Sequence, residues 1–375
     1  MFKTITFVLA IILAITGCNK KTPILTGTDL QITELTENEV ILPEQTPVSS
    51  IENENLQQNN FTETIFDRLG PITEIEMILV QGGKMLIQGH DITLDSFYMS
   101  KYVLTNGIHE ELSRWALENG YNQYTGYGGN GLGEFRENYY FDNEENDNIV
   151  VVQPWATAIA ICNYLSLKEG LTPVYLIKDK SRPVLHFNDI FNIDYELPSG
   201  MPYLTYNAFY IDWNANGYRL PTEAEWEFAA KGGSNSMGYL FAGSNTLENV
   251  SFSRNDETWS RYIVGQKKPN ELGLHDMSNT ASEWCFDQWE DSPLMTPSHN
   301  PGRIETQNFE NIDTGVSPQN PFYIVMKGGN RAFSNDFYRP NARLRGYPFF
   351  GTNDYDDHVL VRDIYQSTIR LVRKY

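Results

Sequence analysis

Apolar residues are spread unevenly along this chain. A short apolar run, Thr4 to Ile15, follows Met1-Phe2-Lys3 and ends in Ile15-Thr16-Gly17-Cys18. From Asn19 to about Gly70 the pattern is polar, with stretches such as Glu52-Asn53-Glu54-Asn55 and Gln57-Gln58-Asn59-Asn60. Regular patterning begins near Ile72. Met77-Ile78-Leu79-Val80, Lys84-Met85-Leu86-Ile87 and the run from Ile92 to Met99 read as strands, with Gly82-Gly83 as the turn between the first two. A helix is expected after Thr105-Asn106, with Ile108, Leu112, Trp115 and Ala116 on one face. A second starts at Pro154 and presents Trp155, Ala158, Ile159, Cys162 and Leu165. A third is signalled by Thr222-Glu223-Ala224-Glu225, a capping box in which Thr222 and Glu225 satisfy free amide donors. The closing segment Ser367 to Arg373 alternates like a strand. Long Gly, Asn and Pro-rich stretches separate these elements, which predicts one loop-rich α+β domain.

The N-terminus has the basic start, apolar core and small-residue end of a secretory signal. Its apolar run is far below the ~20 residues a spanning helix needs. Small residues directly before Cys18 resemble the bacterial lipobox, in which the cysteine is lipidated and becomes the mature N-terminus. The expected organisation is a lipoprotein signal peptide over 1–17, a lipidated Cys18 with a disordered polar tether over 18–70, and a domain over 71–375. The tether composition cannot offset its ordering entropy. Its expected root-mean-square span is roughly 40 Å, from ~5–6 Å × √n. The location implied is the bacterial cell envelope, extracytoplasmic, with the membrane as a partner through the lipid.

Charge and cysteine count then narrow the chemistry. The 375 residues hold 28 Lys and Arg against 48 Asp and Glu, a net charge of −20, which argues against a nucleic-acid partner. Three cysteines rule out a disulfide scaffold. The six histidines show no pair at ligand spacing, so a zinc site of the usual kind is not expected. Gly126-Tyr127-Gly128-Gly129-Asn130-Gly131 matches a dinucleotide pattern but neither follows a strand nor opens a helix. Asp212-Trp213-Asn214-Ala215-Asn216-Gly217, with Glu223 after five more residues, fits a calcium-loop pattern. Pro221 within it and the strand-like stretch before it favour a turn leading to the capped helix. A better calcium candidate is Asp276 to Trp284, where two carboxylates flank a short irregular stretch.

The run Asn216-Gly217-Tyr218-Arg219-Leu220-Pro221-Thr222-Glu223-Ala224-Glu225-Trp226-Glu227 closely resembles the signature of the formylglycine-generating enzyme, or sulfatase-modifying factor, family. Val80-Gln81-Gly82-Gly83, Cys162-Asn163-Tyr164-Leu165-Ser166, Pro269-Asn270-Glu271-Leu272-Gly273-Leu274, Ser282-Glu283-Trp284-Cys285 and Lys327-Gly328-Gly329 follow in family order. The resemblance implies a loop-rich variant of the C-type lectin fold pinned by calcium. One implied calcium set is Asp276, Asn279, Ala281 and Glu283. A second falls on Asn249, Val250, Asp256 and Thr258. Aerobic family members oxidise a substrate cysteine with a copper-binding cysteine pair, and thiolates suit Cu(I). Here those positions fall on or near Phe333 and Tyr338, so copper is not expected, and Cys162 and Cys285 read as core thiols. Aromatic and arginine residues of 330–366, among them Arg331, Phe333, Phe337, Tyr338, Arg343, Tyr347 and Arg362, form an expected binding surface for a protein or small molecule; about half of the segment's aromatics are expected to pack under the loop. The leading expectation is a ligand- or partner-binding protein on a non-catalytic scaffold. A protein-modifying oxidoreductase or its accessory factor, and a structural envelope protein, are the alternatives.

Overall fold

A computed structural model describes residues 60–67, 70–121, 154–194, 203–252, 264–279, 281–292, 295, 297–302, 306–307, 323–329, 334–346 and 367–375. In chain order the elements are β1 (Asn60–Asp67), β2 (Gly70–Val80), β3 (Gly83–Ile87), β4 (His90–Leu94), β5 (Phe97–Ser100), α1 (Asn106–Glu118) and α2 (Trp155–Lys168). There follow β6 (Tyr175–Ile177), α3 (Phe187–Ile190), β7 (Phe191–Asp194), β8 (Tyr203–Tyr206), β9 (Phe209–Ile211) and α4 (Glu223–Ala230). The chain closes with β10 (Ser282–Gln288), β11 (Thr306–Gln307), β12 (Ile324–Lys327), β13 (Leu344–Gly346), β14 (Ser367–Thr368) and β15 (Val372–Lys374).

Two four-stranded sheets organise these elements, ordered β1-β2-β5-β15 and β13-β12-β10-β14. A three-stranded sheet β11-β9-β6 and the hairpins β3-β4 and β7-β8 complete the framework. Three expectations change here. First, β1 lies inside the segment read as tether and pairs antiparallel with β2. Its strand-favouring Phe61, Thr62, Thr64, Ile65 and Phe66 outweigh the polar composition around them. Second, the run Ile92 to Met99 is two strands in different sheets. It breaks at Asp95-Ser96, where Ser96 Oγ accepts the Gly82 N–H at 2.9 Å and Asp95 takes Asn300 Nδ2 at 2.8 Å. Gly82 is required at that crossing, because a Cβ would run into the backbone of Leu94 and Ser96.

Third, the closing segment splits. Ser367 and Thr368 pair parallel with β10 in one sheet, and Val372 to Lys374 pair antiparallel with β5 in the other. Between them, Arg370 turns into the interior. The C-terminus therefore staples the two large sheets together.

The helices follow the sequence expectations closely. Thr105 caps α1, with Ile108, Leu112 and Ala116 buried and Trp115 half-buried against the core. α2 begins after Pro154, and every residue from Trp155 to Ser166 is buried. Its one amide side chain, Asn163, is fully occupied: Nδ2 donates to Tyr175 O (2.7 Å) and Val184 O (2.8 Å), and Oδ1 accepts the Tyr175 N–H. Burying an amide costs stability unless it is bonded in this way. The main apolar core forms around α2, and a second one gathers β2 to β5 and α4.

Candidate functional site

The residues most distinctive in the sequence converge on α4. Thr222 and Glu225 form the expected capping box, with the Glu225 N–H on Thr222 Oγ1 (3.2 Å) and the Thr222 N–H on Glu225 Oε2 (3.0 Å). All eight helix residues are buried, three of them glutamates. Each glutamate carries its own cation. Arg219 grips Glu225 with both guanidinium nitrogens (2.6 and 2.8 Å), and Arg343 grips Glu223 likewise (2.6 and 3.0 Å). Glu227 takes Lys327 (3.0 Å) and Lys231 (2.6 Å), and Gln88 Nε2 adds a third donor (2.6 Å). Burial pushes the Glu227 carboxyl up, but the two lysines outweigh it and hold the group below its ordinary range.

The next layer repeats the device. Trp226 Nε1 donates to Glu283 Oε2 (2.6 Å), and Arg370 holds both oxygens of Glu283 at 2.7 and 2.8 Å. Arg370 also donates to the carbonyls of Ser100, Lys101 and His275, so its fork is spread over both large sheets. Asp287 accepts the Glu223 N–H at 2.6 Å, capping α4 from outside the helix. Its own carboxyl is pushed to about 8, first by burial and then by the Glu223 charge. Gly217 completes the run, because a Cβ there would collide with Thr172 O and Ser166.

The expected calcium-loop pattern at Asp212 is a turn: Asp212 Oδ1 accepts the Asn214 N–H, Asn216 Oδ1 accepts the Thr172 N–H, and Glu223 belongs to Arg343. At the second candidate, Asp276 is buried at positive φ, 63°, with Oδ2 accepting the Gly265 N–H at 2.8 Å. Burial raises its carboxyl above the ordinary range. Asn279 and Ala281 are buried beside it, and the Asn279 N–H donates to Gly328 O. Asn249 and Val250 end a short 3-10 turn, with Asn249 O accepting the Lys268 N–H. Cys18, Asp256, Thr258, Arg331, Phe333, Tyr347 and Arg362, with the glycine-rich 126–131 stretch, lie outside the described residues.

Of the surface residues expected in 330–366, three lie among the described residues. Tyr338 is 1% exposed and packs with Phe241 and Val250. Phe337 is half-buried against the main core. Arg343 is spent on Glu223 and Glu290 O, and lies 4.3 Å over the Trp289 ring. Aromatic and arginine side chains serve recognition and burial alike; here Tyr338 serves packing and Arg343 an ion pair. Sequence reading missed a cleft of about 280 Å³ between β2, the 100–105 segment and α1. Ile75, Val103, Leu104, Ile108 and Leu371 supply apolar walls, and Glu76, ion-paired to Lys101 at 2.9 Å, stands at its edge. The signal available was the run Tyr102-Val103-Leu104 just before the Thr105 cap, too short to count as an element.

The family described as "Sulfatase-modifying factor enzyme 1-like domain" matches residues 66–355. The chain belongs to this family. Among curated relatives, "Chaperone protein LppX" of Paenibacillus barcinonensis is 31% identical over 240 residues, 58% of this chain and 73% of that protein. The formylglycine-generating enzyme of Thermomonospora curvata is 30% identical over 158 residues, 38% of this chain and 45% of that enzyme. Among solved structures, Treponema denticola variable protein 1 aligns over 84% of this chain and 99% of its own with a TM-score of 0.55; at 23% identity this likeness bears on the fold alone.

The sulfatase-modifying factor fold implies two kinds of metal. Copper does not fit the residues present: Tyr338, at or near one thiolate position, is a packed phenol. Cys162 and Cys285 are free and buried, and burial pushes both thiols well up. Calcium fits in part. Asp276 offers a buried carboxylate beside Asn279 and Ala281, while both carboxylate oxygens of Glu283 are held by Arg370. Among the described residues, no helix is long and apolar enough to cross a membrane.

Proposed function

We propose that this is a lipid-anchored, extracytoplasmic envelope protein whose sulfatase-modifying-factor domain binds a protein partner instead of oxidising one. The observation that carries the reading is the fate of the thiols. The sequence has three cysteines; two are sealed in the core with raised pKa, and the third, Cys18, stands in a lipobox-like context. A thiolate is the reactive form and the copper ligand, so a buried thiol held protonated suits neither role. The likeness to a protein named as a chaperone, over 73% of its length, supports a partner made of protein. The 280 Å³ cleft and the remaining candidates Arg331, Phe333, Tyr347 and Arg362 are the proposed contact points.

Calcium is proposed as structural, held by Asp276 with main-chain carbonyls of Asn279 and Ala281. The ion would supply positive charge to a buried carboxylate and pin the turn. Chelation should then lower the melting temperature in wild type and not in Asp276→Asn; equal insensitivity in both would remove calcium from the account. Cys18→Ser should release the protein from membranes, and unchanged partitioning would remove the anchor.

A further inference from the structure

The apolar cleft and the Asp276 turn share a wall. Asp276 Oδ2 accepts the Gly265 N–H at 2.8 Å. Gly265, at φ 75°, lies so close to Tyr102 that a Cβ there would stand 2.7 Å from the ring. Tyr102 lines the cleft, and so does Val264, the neighbour of Gly265. One hydrogen bond from Asp276 therefore holds the backbone that carries one cleft-lining side chain and abuts another. A second path runs through packing. Ala281, one of the implied calcium positions, packs with Val103 and with half-buried Val264 and Phe252. Val103 and Val264 are both cleft residues.

His275 ties the two paths together. Its N–H donates to Lys101 O at 3.0 Å, and its Nδ1 stands 2.9 Å from Lys267 O. Its ring packs against Tyr102 with centroids 5.2 Å apart. Lys101 in turn pairs with Glu76 at the cleft edge. Segments 101–104 and 264–267 thus both lean on the 275–281 turn. We propose that cation binding at the Asp276 turn orders this wall and so controls the cleft. A cation at Asp276 fixes the carboxylate, and the carboxylate fixes Gly265 against Tyr102. A wall ordered in advance lowers the entropy cost for whatever binds next. The inference rests on the calcium reading given above and adds regulation to the cleft named there as a contact point. Coupling of this kind is reciprocal, so a change made only in the cleft wall alters calcium affinity.

The test follows amide hydrogen exchange and calcium affinity in the purified full-length chain. Calcium should slow exchange in the peptides covering 101–104 and 264–268 several-fold in wild type, and should leave Asp276→Asn unchanged. In calorimetry, Val264→Ala and Tyr102→Ala should each weaken calcium binding several-fold, although neither side chain is a proposed ligand. Both positions are half-buried, so these truncations spare the core. Leu86→Ala, at an exposed site on β3, should leave calcium affinity as it is. An equal loss with Leu86→Ala overturns the coupling. If wild type binds calcium and exchange in both peptides stays the same, the coupling alone is overturned. If wild type binds no calcium in calorimetry, the calcium reading falls and the coupling falls with it.

Discussion

Two helices of this protein are equally buried and chemically opposite. α2 is apolar nearly throughout, and its one amide, Asn163, is closed by three hydrogen bonds. α4 is eight residues long, just as deep, and three of its residues are glutamate. The first is held by area removed from water, at about 1.5–3 kcal/mol for each large aliphatic side chain. The second is tolerated only because Arg219, Arg343, Lys327 and Lys231 meet its charges at hydrogen-bonding distance. A buried ion pair adds little net stability over an apolar pair, yet its half-removal is severe. The most motif-like residues in the chain are thus fold-specifying, and their role needs no substrate.

That contrast predicts a ranking. Glu283→Ala leaves the Arg370 guanidinium buried without its carboxylate and should cost about 3–5 kcal/mol, read as a fall in the urea midpoint or loss of folded protein. A cost near zero would mean that water reaches Arg370 and that the charged layer is not sealed. Ile159→Ala in α2 should cost about 2–5 kcal/mol through its cavity. If Ile159→Ala proved the more damaging of the two, the contrast between charged and apolar burial would be reversed.

A pH dependence separates them further. Asp287, at the N-terminus of α4, binds its proton up to about pH 8 when folded, against an ordinary 3.8. The stabilisation from that proton is full below about pH 4 and is lost as pH rises through about 8, with a steepest slope of about 1.4 kcal/mol per pH unit. Asp287→Asn should flatten the decline in melting temperature across that window, and an unchanged slope would count against a protonated Asp287. In α1, burial holds His109 down at about 4, so its contribution runs the other way, lost as pH falls from about 6.5 to about 4. Smallest of all, Thr222→Ala removes the α4 cap and should cost about 1 kcal/mol, with Thr222→Ser largely restoring it.

The same contrast explains what was legible in the sequence. α1, α2, the Thr222 capping box and strands β2 and β3 follow from periodicity and cap chemistry, because their local preferences agree with their tertiary surroundings. β1 was hidden by averaging composition over fifty residues. The splits at Asp95-Ser96 and Ile369-Arg370-Leu371 depend on partners more than two hundred residues away in sequence, Asn300 for one and Ser100 for the other. No local pattern encodes them. Of the candidate site, the Asp276 turn was visible, but the pairing of Glu283 with Arg370 was not, since an ion pair across 87 residues leaves no spacing to read. Tyr338 and Arg343 went wrong for a related reason: exposure of an aromatic or an arginine is decided by what packs over it.

We propose that this family member has kept the scaffold and given up the thiol chemistry. The most direct test is incubation of the purified full-length chain with copper, oxygen and a peptide containing Cys-x-Pro-x-Arg, beside a known formylglycine-generating enzyme. The account predicts that the peptide keeps its thiol with this protein while the enzyme converts it. Aldehyde formation by this protein, lost on mutation of Cys162 or Cys285, would contradict the account outright.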